Sequence, residues 1–486
     1  MKQSTRIWVS IIPILTLIAL LALSVSIFKS DSILGSSQVA LLAASGVCIA
    51  LSMWAFKTPW NVFEEGLKEN MSDIVIALII LFFIGAVSGT WTMGGIVPTF
   101  ICYGINIISP RFFLLTACLI CALVSLMTGS SWTTIATIGV ALMGIGKAEG
   151  FSDGMIAGAI ISGAYFGDKI SPLSDTTVMA SSMSKVPLFT HIRYMVYTTV
   201  PSISIALVIF LIMGLSHSGP DASLIDEYSR VLHEQFNITP WLLLVPAITA
   251  VMIARKMPAI AVLALSTVVA AIFAIIFQPD IISRIGSEVV KEGSQLKVML
   301  AGTIKTIYDS VSIETGNPEV NDLVASRGML GMMNTVFLII CAMCFGACMK
   351  ASGMLGILGE KIVSLAKGRT SLVASTVTTG TVMNAVVSDQ YLSIIITSNL
   401  FKDVYEKKGY EARLLSRSVE DSATVTSPLI PWSSCGMTQA TILSVPTVTY
   451  LPFCFFNIIS PFMSMIIAAT GYRIVHRRQE KSDSKN

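Results

Sequence analysis

The sequence predicts an all-α polytopic membrane protein made of two inverted-topology repeats, with broken helices and re-entrant hairpins. Composition, recurrent long apolar runs and a short pattern that occurs twice support this. Of 486 residues, 53% are hydrophobic and 13% charged, against about 25% charged in a soluble domain. Mean hydropathy is +0.76. A helix needs roughly 20 mostly apolar residues to cross the hydrocarbon core, and such runs recur along the whole chain.

The first run, Ile7 to Phe28, exceeds the roughly 7 to 15 residues of a signal-peptide core, and no small-residue cleavage site follows it. It is therefore expected to stay as the first span. Further crossings are expected at 39–56, 74–93, 193–214, 240–254, 258–277, 329–349 and 447–470. The runs 111–146 and 370–401 carry polar interruptions at Thr128-Gly129-Ser130-Ser131 and Ser388-Asp389-Gln390, and read as hairpins that enter and return. The first is also long enough for two spans. The runs 154–184 and 413–445 are broken by Asp168-Lys169-Ile170-Ser171-Pro172-Leu173 and by Thr426-Ser427-Pro428-Leu429-Ile430-Pro431, so each is expected to cross as two half-helices.

Lys and Arg collect on cytoplasmic loops. Lys2/Arg6, Lys57/Lys68, Lys185/Arg193, Arg255/Lys256, Lys361/Lys367/Arg369, Lys402 to Arg417 and the Arg473 to Lys485 tail all fall inside under one assignment, with both termini cytoplasmic. The loops 215–239 and 278–328 carry more acid than base and fall outside. The expected organisation is an N-terminal transmembrane repeat (1–214), an extracytoplasmic loop (215–239), a C-terminal repeat (240–470) with the external loop 278–328, and a cytoplasmic tail (471–486). Leu296 to Tyr308 has helical apolar spacing, which suits an amphipathic interfacial helix.

The repeat rests on two matches. Gly85-Ala86 with Met93 and Gly95-Ile96 recurs 261 residues later as Gly346-Ala347 with Met354 and Gly356-Ile357, and Ser171-Pro172-Leu173 recurs 256 residues later as Ser427-Pro428-Leu429. Inverted repeats with discontinuous helices are a common transporter architecture, with the site near the midplane where the breaks meet.

Ionisable residues inside spans are costly, about 2.5 to 3.5 kcal/mol even on the lenient insertion scale, and are functional candidates by default. Here they are Asp168, Lys169 and Asp175 around the first break, Asp389 in the second hairpin, and Glu420 and Asp421 before the second break. Beside them stand Thr128, Ser130, Ser131, Ser171, Ser174, Thr176, Thr177, Thr424, Thr426 and Ser427. Carboxylates, hydroxyls and the carbonyls of an unwound helix are ligands for a hard cation such as Na⁺, and Pro172, Pro428 and Pro431 help keep the carbonyls free. A carboxylate withdrawn from water protonates more readily while a bound Na⁺ favours its ionised form, so the two ions compete for one group. Lys169 is the expected counter-charge for Asp168. Plainer readings stand beside these: an Asp168–Lys169 pair in a surface loop, Asp175 as N-cap of a half-helix starting at Thr176, Asp389 as a turn residue, and Glu420 at the interface. Lys350 is expected to snorkel.

Other classes have little support. The net charge of +3 is scattered, and no run of Lys and Arg exceeds a pair, so nucleic acid is not an expected partner. The nine Cys lie in apolar segments, and the pairs Cys118/Cys121 and Cys341/Cys344 lack completing ligands, so neither a transition metal nor another cofactor is expected. The four His fall in loops or tails. Tyr165-Phe166-Gly167-Asp168 resembles part of an intramembrane aspartyl protease signature but lacks its first glycine; an enzyme is not expected.

These motifs resemble the NhaC family of sodium/proton antiporters. The resemblance lies in Thr128-Gly-Ser-Ser-Trp132 with Ala136 to Gly146, in Ser162 to Thr177, in Asp389-Gln-Tyr-Leu-Ser393, and in Leu415 to Asp421 followed by Thr426 to Trp432. It implies Na⁺ and H⁺ as substrates, the bilayer of a bacterial or archaeal cytoplasmic membrane, re-entrant hairpins and an often dimeric scaffold. Similar sequences include exchangers of small carboxylates such as malate and lactate. Lys169 and the amides after Asp175 are the groups that would meet such an anion.

Overall fold

The structure, a computed structural model, describes residues 3–28, 35–107, 109–217, 219, 222–255, 257–364 and 366–474. Lys2, Lys256, His476 and most of the 471–486 tail lie outside the described residues. Among the described residues the chain is helical without strands, apart from an isolated antiparallel bridge between Val311 and Ser326. Among the described residues six helices are long and apolar enough to cross a bilayer, or up to nine if each of three bent helix pairs forms one crossing. Leu119, Leu123 and Met127 on one helix and Val268, Ile272 and Ile276 on another lie exposed in four-residue steps. Apolar stripes of this kind suit lipid, not water.

Several boundaries differ from the expectations above. The expected 74–93 crossing begins at Trp60 and runs to Met93, taking Lys68 into the helix. It then bends by 65° into the helix that starts at Ile96. The expected 447–470 crossing is also bent, by 56°, between Thr447–Phe453 and Phe455–Thr470. His191 is no loop residue: it sits in the Leu188–Leu215 helix, fully buried, sharing a 2.8 Å hydrogen bond with Ser416 Oγ. His233 likewise falls in the Ala222–Gln235 helix. Lys350 Nζ lies 3.1 Å from Glu69 Oε2 and joins helices of the two halves. The expected amphipathic helix is present as Gln295–Tyr308, with Leu296, Leu300, Ile304 and Tyr308 exposed in four-residue steps.

Both hairpins have the same joint. Phe113–Thr128 ends at Gly129 with φ 69°, and Ser130 then caps the next helix by accepting from Thr133 N. Arg369–Val387 ends at Ser388 with φ 63°, and Asp389 caps Gln390–Lys407 by accepting from Leu392 N. A left-handed residue followed by an N-cap reverses the chain within two positions. The joints are 259 positions apart, as are the caps Ser174 and Ser433 of the half-helices Asp175–Met183 and Ser434–Leu443. Gly95 and Gly353, both left-handed, are 258 apart. This corrects the register of the repeat: the counterpart of Gly95 is Gly353, because Gly356 lies inside the Met354–Val363 helix. The Ser-Pro-Leu offset of 256 is shorter because the second break is three residues longer between its serine and its cap.

Each hairpin packs its first arm on the broken segment of its own half. Gly163 and Gly167 of Asp153–Ile170 face the carbonyls of Cys118 and Ala122 so closely that a Cβ at either position would collide with them. Ser125 Oγ donates to Ala164 O at 2.6 Å across the same contact. In the second half Gly380 faces Ser422, and Asn384 Nδ2 donates to Ala423 O at 2.6 Å.

Candidate functional site

The two broken segments meet in the interior, and their polar side chains cross from one half to the other. Asp153–Ile170 stops at Ser171, whose position before Pro172 disfavours further helix. The second segment runs as Ala412–Val419, widens into a π-helix at Glu420–Thr424, and passes through a 3-10 turn at Ser427–Leu429 before Ser434–Leu443 begins. A second π-helix, Ile135–Gly139, follows the tip of the first hairpin. Such π turns inside helices often mark functional sites.

Asp168 is almost fully buried, and its Oδ2 accepts from Ser131 N at 3.1 Å and Ser131 Oγ at 2.7 Å, so the first hairpin tip sits on the first broken helix. Thr176 Oγ1 donates to Glu420 Oε1 at 3.1 Å, which ties the first break to the second. Asp168 and Glu420 also interact electrostatically. Lys169 does not serve Asp168. Its Nζ pairs with Asp421 Oδ1, donates to Ser460 Oγ at 2.9 Å and lies 5.6 Å from the Phe456 ring centre. Asp421 Oδ1 takes a further bond from Thr198 Oγ1 at 3.0 Å. Lys169, Glu420 and Asp421 are all fully buried, so the surface-loop reading of Lys169 and the interface reading of Glu420 fail.

Other candidates are placed more locally. Asp175 is not a cap: Ser174 is, and Asp175 is the exposed first residue of its half-helix. Asp389 caps the second hairpin and accepts from Ser434 Oγ at 3.2 Å. Thr128 accepts from Ser130 N at 3.1 Å within the first tip, and Ser171 Oγ donates to Leu126 O at 2.8 Å. Thr426 Oγ1 donates to Ser422 O at 2.8 Å, and Ser427 Oγ to Thr424 O at 2.8 Å. Pro428 is buried within the second break and Pro172 is exposed at the first.

Four residues of the site are absent from the sequence-based set. Asn384 and Asn457 hold the carbonyls that the second break frees, Ala423 O at 2.6 Å and Val425 O at 2.9 Å. Polar amides inside apolar runs were the available signal. Tyr391 lies within electrostatic range of Asp168, Asp175 and Asp389. Arg417, taken above for part of a cytoplasmic loop, is fully buried. Its Nε lies 3.8 Å from Asp421 Oδ2 and its guanidinium 4.8 Å from the Tyr194 ring centre, and among the described residues none of its three nitrogens has a hydrogen-bond partner. Among the described residues Glu420 Oε2, Asp421 Oδ2 and Thr424 Oγ1 are likewise buried without a geometric hydrogen bond, although Thr424 adjoins Glu420 and Arg417 adjoins Asp421. Buried polar atoms are nearly always satisfied, so this layer has the oxygen ligands and the vacant bonding capacity for a small cation. Among the described residues no three His, Cys, Asp or Glu side chains gather as a metal-holding group.

The profile described as the Na+/H+ antiporter family matches residues 163–472, which include both breaks and the second hairpin. The chain is similar to the Na(+)/H(+) antiporter NhaC of Bacillus subtilis (strain 168), 35% identical over 86% of this chain and 89% of the relative. It is 36% identical to the NhaC of Alkalihalophilus pseudofirmus over 85% of this chain and 86% of the relative. It is also 33% identical to a malate-2H(+)/Na(+)-lactate antiporter of Bacillus subtilis (strain 168), over 95% of this chain and 94% of the relative.

Proposed function

The chain belongs to the Na+/H+ antiporter family, and on that premise we propose that Na⁺ and H⁺ compete for Asp168 and Glu420 in the layer where the two broken segments meet. The observation that carries this reading is Thr176 on Glu420 across the two halves, beside Ser131 on Asp168 within the first half, with Glu420 Oε2 and Thr424 Oγ1 adjoining and neither in a further hydrogen bond. Na⁺ takes up the vacant oxygens when the carboxylates are ionised, and protons replace it when they are not. The Lys169–Asp421 pair supplies fixed charge beside the site without occupying either carboxylate. Asp175 and Asp389, both within electrostatic range of Tyr391, add negative charge near the site. Alternating access follows if the loaded layer reorients and the empty, charged one does not. Both termini are assigned to the cytoplasm because the basic loops then fall on one side.

A second reading, exchange coupled to a small carboxylate, is favoured by Arg417. Lys169 is committed to Asp421, so the buried cation with donors to offer an anion is Arg417, whose planar fork matches a carboxylate. The malate/lactate relative supports the same class. The test is a proteoliposome assay with an internal pH dye, challenged in turn with Na⁺, Li⁺, K⁺, malate and lactate. Na⁺-driven proton movement without any carboxylate supports the first reading. Movement that requires malate or lactate supports the second, and no Na⁺ response under any condition contradicts both.

A further inference from the structure

A cavity of about 290 Å³ lies apart from the Asp168–Glu420 layer. Its lining residues include Lys147 and Arg327, the hydroxyl residues Ser88, Thr441 and Ser444, and Met332, with aliphatic residues completing the walls. Among the described residues no carboxylate lines it, and the nearest to its cations, Asp153, is 3.5 Å from Lys147 Nζ outside the lining. Two cations and one already-paired carboxylate make this space a poor waypoint for sodium. An anion would meet two charge-assisted donors.

We propose that this cavity binds a small organic carboxylate. The volume is at the lower end of ligand pockets, which suits a short carbon skeleton. The apolar part of the wall would cover that skeleton, a contact that chloride or phosphate could not use. The three hydroxyl residues would serve the polar substituents of a hydroxy acid.

Both cations are placed to receive an anion. Arg327 is exposed and, among the described residues, has no ion pair. Its backbone is pinned: Arg327 O accepts from Gly331 N at 3.0 Å, and the neighbouring Ser326 is bridged to Val311. Its aliphatic stem lies along Gly331, where a missing side chain leaves the room. Lys147 sits in the last turn of Val140–Ala148, and its one ion-pair partner, Asp153, is 3.5 Å away and half exposed, a contact that an entering carboxylate can replace. The walls also come from both halves: Ser88 and Lys147 from the first, Thr441 and Ser444 from the second. Relative motion of the halves would therefore alter the cavity, and occupancy would couple to transport.

The proposal deepens the carboxylate-coupled reading and is independent of Na⁺/H⁺ exchange. The test is calorimetric titration of the purified full chain in nanodiscs with L-malate and L-lactate, with phosphate and chloride as controls. Wild type is expected to bind at least one of the two carboxylates saturably. Arg327→Gln and Lys147→Gln are each expected to weaken that binding about tenfold or more, the value of one charge-assisted hydrogen bond. Both side chains are at least partly exposed, and neither is part of the ion layer, so Na⁺-driven proton movement in liposomes serves as the control for folding. The proposal is overturned if wild type binds neither carboxylate, if both variants bind as wild type does, or if phosphate or chloride competes as well as the carboxylates. Carboxylate binding without Na⁺/H⁺ exchange in wild type would instead contradict the first reading of the function and leave this site standing.

Discussion

Lys169 Nζ and Asp421 Oδ1 pair across the two halves of the chain, 252 positions apart, with both side chains fully withdrawn from solvent. The pair fastens the first break to the second. Removing one partner leaves a buried charge without compensation, which typically costs about 3 to 5 kcal/mol. Asp421→Asn and Lys169→Met are each expected to lower the unfolding temperature of the purified protein sharply. The double variant Lys169→Met/Asp421→Leu is expected to recover only part of that loss, because it removes this pair but leaves the buried Arg417, 3.8 Å from Asp421, without its ion-pair partner among the described residues. Single variants as stable as wild type would show that water reaches the pair.

Asp175 separates two roles by a simple substitution. Because Ser174 and not Asp175 is the cap, Asp175→Asn removes only a charge near the helix N-terminus, worth about 0.3 to 1 kcal/mol of stability. Thermal stability is therefore expected to change little while the apparent Na⁺ affinity falls. Asp389→Asn should also lower the affinity, and the double variant should lose less than the two single losses combined if both acids act on one ion, since groups that share a partner are coupled. Na⁺ titrations of proton movement at pH 7 to 9 give the answer. Two small, additive changes would take the ion away from Tyr391.

Glu149 gives a pH signature outside the spans. It sits in the connector between Val140–Ala148 and Asp153–Ile170, fully buried, with both carboxylate oxygens lacking a hydrogen-bond partner among the described residues. Burial pushes its carboxyl up to about 7. Between the ordinary carboxylate range and that value the folded chain keeps a proton that the unfolded chain has lost. Stability therefore falls as pH rises through this window and stays lower above it. Glu149→Gln should be more stable than wild type at pH 8 and closely similar near pH 4.5. Parallel melting curves at the two pH values would show it, and an equal gap at both would contradict the assignment.

Asn384 tests whether the freed carbonyls need holding. Its amide donates to Ala423 O at 2.6 Å and to Thr426 Oγ1 at 3.0 Å. Asn384→Leu leaves these buried acceptors short of a donor, a cost of about 1 to 3 kcal/mol. The variant is expected to melt earlier and to show weakened Na⁺ dependence. Unchanged Na⁺ dependence with lowered stability would confine Asn384 to a structural role.

The joints of the fold were legible because they depend on local chemistry. Thr128-Gly129-Ser130 and Ser388-Asp389 announce chain reversals, and each Ser-Pro-Leu announces a break, since a proline and a left-handed residue act within one or two positions. The local signal carried an error of one residue at Ser174 and Asp175, where two neighbouring side chains can both cap. Partnerships were not legible. Lys169 follows Asp168 directly, yet successive helix residues point in different directions, and its partner lies in the other half. Arg417 was hidden by its basic neighbours from Lys402 onward; what buries it is the packing of Ala412–Val419 between Tyr194 and the second hairpin, which no short window contains. The bend at Cys454 is marked in the sequence only by Pro452, and a lone proline in an apolar run does not say whether the span bends there or continues.

The central claim is that Na⁺ and H⁺ compete for Asp168 and Glu420, and proton movement driven by a Na⁺ pulse in liposomes carrying Asp168→Asn tests it most directly. Asn keeps the shape and can still accept from Ser131, so the hairpin contact survives while the titratable group is lost. The account expects the protein to insert and melt much as wild type does, while Na⁺-driven proton movement disappears at every pH from 7 to 9. Exchange by Asp168→Asn at near the wild-type rate would contradict it.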